Sequence, residues 1–163
     1  MARDIDLGGK GNILDNALEN IKEVFDLYQK DELDLRLHQI YVEDIRVPIA
    51  KSVSIDIEGV DASRENRGIA GFKQHRYTLL ITVNVWYYHE EMNPNTRKKD
   101  VMNILWKIAQ MFMKHTTCNG FVPKLGTEVL GTEFLPRRFD NKIMAGGVVR
   151  LRLTKLYLVT DVD

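Results

Sequence analysis

The sequence predicts an α+β domain in which a mixed, mainly antiparallel sheet is flanked by two helices. Two stretches repeat apolar residues at three- and four-residue spacings, as amphipathic helices do. Between them, residues 76–89 form a long predicted strand with apolar side chains on both faces. Shorter alternating segments lie before and after, so the element order is helix, strands, helix, strands.

Length and composition are those of one globular domain. The chain has 163 residues, of which 44% are hydrophobic and 28% charged. It contains no run of about 18 apolar residues and no apolar core of a signal peptide, so we expect neither a membrane partner nor secretion. Lys plus Arg and Asp plus Glu both number 23, which argues against sequence-specific nucleic acid as a partner. We expect a single domain over residues 1–163.

The N-terminal part is predicted to be an arm followed by a helix. Residues 1–11 contain a glycine-rich stretch without periodicity, which favours a flexible arm. Asn12 is a suitable cap for a helix over residues 12–30. One apolar stripe runs along that helix and predicts that it packs on a sheet. The stripe consists of Ile13, Leu14, Ala17, Leu18, Ile21, Val24, Phe25 and Tyr28.

Two strands are predicted next, over residues 39–42 and 53–58. The second alternates apolar and polar residues, and Pro48 between the two fits an edge or a break. Residues 59–76 are rich in glycine and charge, which predicts a long loop.

The strand over residues 76–89 has one apolar face and one half-polar face. Trp86 and Tyr88 lie among polar residues on the second face. An Asn-Pro-Asn turn then leads into a second amphipathic helix, residues 96–115.

Two strands close the chain, over residues 127–134 and 146–160. We expect a charged connection, residues 137–142, between them. In the last strand the apolar alternation changes phase near Thr154, which predicts a bulge or a strong twist there.

Motifs that carry chemistry are weak. The four histidines have no second ligand at the helical spacing of a metal site, and the only cysteine, Cys118, excludes an internal disulfide and fits a reducing compartment. We therefore predict no enzyme activity, no catalytic residue, no cofactor and no metal.

Three features remain without an explanation inside one chain and are predicted to contact another subunit. They are the basic loop, the half-polar strand face with Trp86 and Tyr88, and the cations in the first turn of the second helix, where the helix dipole disfavours each by about 0.3–1 kcal/mol. Arg137 and Arg138 of the charged connection are added to these as separate candidates. The predicted interface residues are Arg64, Arg67, Lys73, Arg76, Trp86, Tyr88, Arg97, Lys98, Lys99, Arg137 and Arg138.

The element order, the strand end Val85-Trp86-Tyr87-Tyr88 and the pattern Val149-Arg150-Leu151-Arg152-Leu153 resemble the tail terminator or tail-completion proteins of tailed bacteriophages. The resemblance covers residues 12–160 and rests on element order, because that family has no short signature motif. It implies a structural virion protein that forms a homohexameric ring, caps the tail tube, ends tube polymerisation and joins the tail to the head–neck connector.

The same resemblance implies the partners and the location. The partners would be further copies of the chain, the tail tube protein and a neck or connector protein, with DNA passing through the ring lumen. The protein would lie in the virion tail or neck, and in the host cytoplasm during assembly. Residues 59–76 would be the loop that reaches tube or neck partners, with Arg150 and Arg152 pointing outward from the sheet.

Three alternatives remain open at this point. The first is another neck or tail component, namely a neck adaptor or a tube-related subunit. The second is a cellular enzyme or ligand-binding α+β domain, which would need a pocket with converging polar groups. The third is a nucleic-acid-binding module, which the neutral net charge disfavours.

Overall fold

The computed structural model describes residues 12–33, 36–42, 47–65 and 74–160. Two helices pack on one face of a six-stranded sheet, which confirms the predicted fold class. The predicted arm, residues 1–11, lies outside the described residues. Within the described residues, neither helix has the length and apolar character that crossing a membrane requires.

Helix α1 spans Ile13–Tyr28, close to the predicted range. Asn12 caps it as expected, since its side-chain oxygen accepts the backbone N–H groups of Leu14 and Asp15 at 2.9 Å each. A π-helical turn, Gln29–Leu33, extends it. The predicted apolar stripe is the face that α1 buries, and its fully enclosed members are Ala17, Leu18, Ile21, Val24 and Phe25.

Helix α2 spans Lys98–Lys114 and packs beside α1 over the same face of the sheet. Phe25 of α1 meets Phe112 of α2 edge to face, with ring centres 5.5 Å apart. This contact joins the two helices above the strands, so the core is one continuous layer between helices and sheet.

The sheet has the order β1-β2-β3-β6-β4, and β5 pairs with the start of β6. β1 runs parallel to β2, and every other pair is antiparallel. The strands are β1 Gln39–Val42, β2 Ser52–Glu65, β3 Gln74–Glu91, β4 Thr127–Phe134, β5 Arg137–Phe139 and β6 Lys142–Thr160. The bounds of β1 and β4 are those predicted.

Three strands are much longer than the two helices that pack on the sheet. β2, β3 and β6 have 14, 18 and 19 residues. At roughly 3.3 Å per residue β3 is about 60 Å long, whereas the 17 residues of α2 span about 25 Å. The far half of these strands, residues 59–65, 74–82 and 152–160, is called the distal ribbon. Within it, residues 59–64 of β2 are exposed on both faces.

The predicted loop over residues 59–76 is wrong for the part that the structure describes. Residues 59–65 continue β2 and pair with residues 76–82 of β3, after a bulge between Ile57 and Gly59. The glycine marks that bulge and not the end of the strand. Residues 66–73 lie outside the described residues.

The charged connection predicted over residues 137–142 is wrong in part, and of the bulge or strong twist predicted near Thr154 the register excludes the bulge. Residues 137–139 of the charged connection form β5. The β3–β6 ladder runs without a shift from Gly146 to Thr160, so no bulge lies near Thr154. The change of apolar phase instead moves Leu156 and Leu158 to the face opposite the helices, called the open face.

Gly146 is required by the close approach of β3. A β-carbon at this position would overlap the backbone carbonyl oxygen of Tyr87. We expect Gly146→Ala to lower the free energy of unfolding by about 1–3 kcal/mol, because backbone must move to make room. Gly131→Ala is the matched control, since no atom lies within 4 Å of its β-carbon. Chemical denaturation measures both, and equal midpoints would contradict the packing described.

Candidate partner interfaces

The open face carries a cluster centred on Arg137. Its guanidinium lies 4.2 Å from the ring centre of Trp86, and Nη1 donates to the Tyr88 hydroxyl at 2.8 Å. Phe139 meets the edge of Tyr88, with ring centres 5.5 Å apart. β5 brings Arg137 and Phe139 over the open face, so these contacts hold the β5–β6 hairpin against β3.

Polar groups of β2 complete the cluster from the other side. Trp86 Nε1 donates to Asp56 Oδ2 at 3.0 Å, and the Tyr88 hydroxyl lies 2.9 Å from Ser54 Oγ. Burial raises the pKa of Tyr88, and the contacts with Ser54 and Arg137 oppose that rise only in part. Tyr88 is therefore a neutral, buried phenol with its hydrogen bonds satisfied inside the chain.

The cluster changes the meaning of four predicted interface residues. Tyr88 is buried by its own chain and has no surface for a partner, while Trp86 and Arg137 are half-buried. Arg138 is exposed on β5. The sequence analysis named the four residues as separate partner contacts, whereas most of the contact of Trp86, Tyr88 and Arg137 is with one another.

The described residues of the predicted basic loop are strand residues and belong to the distal ribbon. Arg64 is exposed near the end of β2, and Arg76 forms an exposed ion pair with Glu65 at 3.5 Å. Exposed ion pairs contribute little to stability, so breaking this one to make another contact costs little and the ribbon surface stays available. Arg67 and Lys73 lie outside the described residues.

The cations at the start of α2 form a separate exposed rim. Arg97 occupies the N-cap without a side-chain cap bond, and Lys98 lies 5.7 Å above the ring centre of Phe134. The acidic neighbour Glu90 binds Thr96 instead, at 3.0 Å. Within the described part of the chain, Arg97, Lys98 and Lys99 form no ion pair. The rim belongs to the start of α2, the Arg137 cluster to β5 with residues 54–56 and 86–88 of β2 and β3, and the distal ribbon to the opposite ends of β2 and β3 with the end of β6.

The outward residues of β6 pair across to β4. Arg150 binds Glu133 at 3.1 Å and Arg152 binds Glu128 at 3.0 Å. Both arginines alternate with core residues as predicted.

Exposed apolar residues beside the distal ribbon were missed by the sequence analysis. Leu125, in the turn before β4, is 76% exposed, and Val60 and Leu156 are also exposed. The phase change near Thr154 was the available signal, because it places Leu156 and Leu158 on the open face.

The reactive side chains of Cys118, His89 and His115 are engaged in packing within the chain. Cys118 is fully buried, which raises the pKa of its thiol to about 12. His89 Nδ1 lies 2.9 Å from the Tyr87 hydroxyl, and the His115 ring stacks on Tyr28 and contacts Glu32. Within the ranges that the structure describes, no three His, Cys, Asp or Glu residues could hold a metal ion.

Comparisons with known proteins add no family. No known protein family model matches the chain, and no curated protein matches it. The candidate interfaces are therefore judged on their geometry alone.

The Arg137 cluster predicts a difference between two neighbouring arginines. We expect Arg137→Met to lower the free energy of unfolding by about 1–2 kcal/mol, because it removes the contact with Trp86 and the hydrogen bond that Arg137 donates to Tyr88. Arg138→Met, at the exposed neighbour, should change it by less than about 0.5 kcal/mol. Urea unfolding followed by tryptophan fluorescence measures both. Equal effects of the two substitutions would show that the cluster contributes nothing to stability.

Burial of Cys118 predicts an unreactive thiol. A pKa of about 12 leaves the sulfur protonated at pH 8, whereas an ordinary cysteine, with a pKa near 8.5, is partly thiolate. We expect a water-soluble disulfide reagent to react about a thousandfold more slowly with the native protein than with the protein in denaturant. Comparable rates in the two states would mean that the sulfur is accessible in the native fold.

Proposed function

We propose that the protein is a structural subunit of a tailed-phage virion, forming a ring of about six copies that caps the tail tube and joins it to the neck. The proposal starts from the resemblance in element order. Its mechanism is geometric, because a ring that offers the tube's docking surface on one side only ends polymerisation without any reaction.

The observation that carries the proposal is the length of the distal ribbon. About half of the length of β2, β3 and β6 lies in the distal ribbon, where the buried core residues of the described chain are Leu79, Ile81 and Leu153. Residues 59–64, exposed on both faces, gain nothing from burial in the isolated chain. A long extension of this kind is suited to contact with neighbouring subunits.

Charge and polarity on other surfaces support an assembly of several different contacts. The cationic rim of α2, with Lys98 and Lys99, is exposed at one place. The outer side of α1 is acidic at another, where Asp15, Glu19, Glu23 and Asp26 are exposed. Opposite charges on separate surfaces favour head-to-tail contacts, which generate rings when the rotation closes.

We expect the purified protein, alone or on tail tubes, to assemble into rings with a mass about six times the 18.9 kDa of the chain. Light scattering and electron microscopy measure the copy number. A strictly monomeric species, even when bound to tubes, would contradict the proposal.

Capping has a second, functional readout. When tube subunits polymerise in the presence of the protein, we expect shorter tubes with added density at one end only. Tube protein polymerised with an unrelated domain of similar size is the control. Binding along the tube wall with unchanged tube lengths would favour another tail component over a terminator.

A further inference from the structure

The distal ribbon has two open edges. β1 covers only Ser52 to Ile55 of β2, so residues 59–65 have no strand on their outer side in the described chain. β4 covers β6 only as far as Leu153, so among the residues that the structure describes no strand lies on the outer side of residues 155–160. Open edges present unpaired backbone donors and acceptors and are ready to add a further strand.

The direction of the unpaired groups on β6 follows from one hydrogen bond. Thr154 N–H donates to Gly126 O at 2.8 Å, on the β4 side. Because groups alternate along a strand, Leu156 and Leu158 direct their N–H and C=O groups to the same side, beyond the end of β4. Their side chains lie on the open face.

The β2 edge has the complementary arrangement. The N–H of Leu153 on β6 points toward Ile81 on β3. The N–H of Ile81 therefore points toward β6, and away from Val60 on β2. By the same alternation Val60, Ala62 and Arg64 direct their N–H groups outward. A parallel β2 strand placed beside β6 would thus find matching donors and acceptors, with the helices of both chains on one side of a continuous sheet.

An exposed leucine stands beside the β6 edge. Leu125 has a left-handed backbone, with φ of 65°, which is unfavourable for a bulky residue. The turn is fixed there by Gly126 N–H to Pro123 O at 2.8 Å and by Leu125 N–H to Thr116 Oγ1 at 3.1 Å. A strained and 76% exposed apolar side chain next to an open apolar edge indicates a contact surface.

Register identifies a second copy of the chain as the occupant. Ala62 to Glu65 stand level with Lys155 to Leu158 across β3 and run in the same direction, whereas residues 59–61 stand level with residues 152–154, which β4 and Gly126 already pair. Copies can therefore join edge to edge over residues 62–65 and 155–158 without stepping along the strands, as ring closure requires.

We propose that the β2 edge of one copy, residues 62–65, adds in parallel to the β6 edge of the next copy, residues 155–158, and packs against its Leu125. This inference deepens the proposed function, because it assigns the subunit contact of the ring. Each copy would pair its β2 edge with one neighbour and its β6 edge with the other neighbour, so the contact is head to tail.

Cysteine cross-linking tests the pairing. Ser63→Cys places a thiol on the β2 edge, and Thr154→Cys, Leu156→Cys and Leu158→Cys place one at successive same-face positions of β6. The native Cys118 is buried, so the unmodified chain serves as the control. On mild oxidation of an equal mixture we expect Ser63→Cys to form covalent dimers with one of the three β6 variants, in up to about half of the chains, which is the limit for random mixing of two single-cysteine variants. No single variant should cross-link alone.

The outcomes separate this proposal from the ring. Cross-linking of Ser63→Cys alone, or of one β6 variant alone, would indicate a two-fold contact and overturn the pairing. Rings without any cross-link would overturn the pairing and leave the ring. Absence of both oligomers and cross-links would overturn both.

A variant with both cysteines tests closure. Ser63 and Leu156 of one chain are two strand spacings apart, about 10 Å, which is too far for a disulfide. A ladder of cross-linked species ending at six supports the pairing and the ring. A ladder that continues beyond six supports the pairing and contradicts the ring.

Leu156→Pro tests the main-chain hydrogen bond independently. Its N–H points away from β3, so proline leaves the β3–β6 ladder intact while removing an outward donor. Leu156→Val keeps the donor and is the control. We expect the proline variant to associate at least tenfold more weakly than the valine variant. Equal association of two variants with native-like circular dichroism would overturn strand addition.

Discussion

The structure depends on one constraint, which is that β3 must satisfy its backbone on both sides over 18 residues. β2 supplies one ladder and β6 the other, so both partners are drawn out to similar length. Two helices of 16 and 17 residues are too short to cover the full length of one face. The core therefore ends within the distal ribbon, at Leu79, Ile81 and Leu153, and the exposed residues 59–64 of β2 and the strand edges beyond are left for other surfaces.

Much of this fold was predictable from local pattern. Both helices, β1 and β4 were located because their periodicity and boundaries are local properties of the sequence. Residues 59–65 were not recognised as strand, since Gly59 and the charged residues after it are typical of loops, and only pairing with distant β3 residues makes them a strand. Likewise, the apolar residues of β6 change to the open face after Thr154 because helix coverage of the sheet ends there. Local residue spacing does not show where that coverage ends.

For the candidate interfaces, the sequence indicated which residues need a contact but not whether the contact lies within the chain. Composition singled out Trp86, Tyr88 and Arg137 as residues needing a partner, and the partner of each is within the chain. That contact joins residues 49 positions apart through a hairpin whose course the sequence does not reveal. The cations of α2 were recognisable because the helix dipole makes their position unfavourable from sequence alone. Leu125 was invisible to such reasoning, since its left-handed backbone and exposure arise only from the turn around it.

The register of β3 with β6 also bears on how the chain acquires its shape. The ladder joins Glu91 to Met144 at the end near α2, and Gln74 to Thr160 at the far end. Pairing therefore closes the shortest loop beside α2 and progressively longer loops outward, so entropy favours zipping from the core toward the tip. By the same reasoning the β2–β3 ladder, whose shortest loop joins Glu65 to Arg76, zips from the tip toward the core. We expect the β6 edge to form late in folding, after the helices have packed, so that a nascent chain lacks the acceptor edge for strand exchange with its neighbours until its own core is complete.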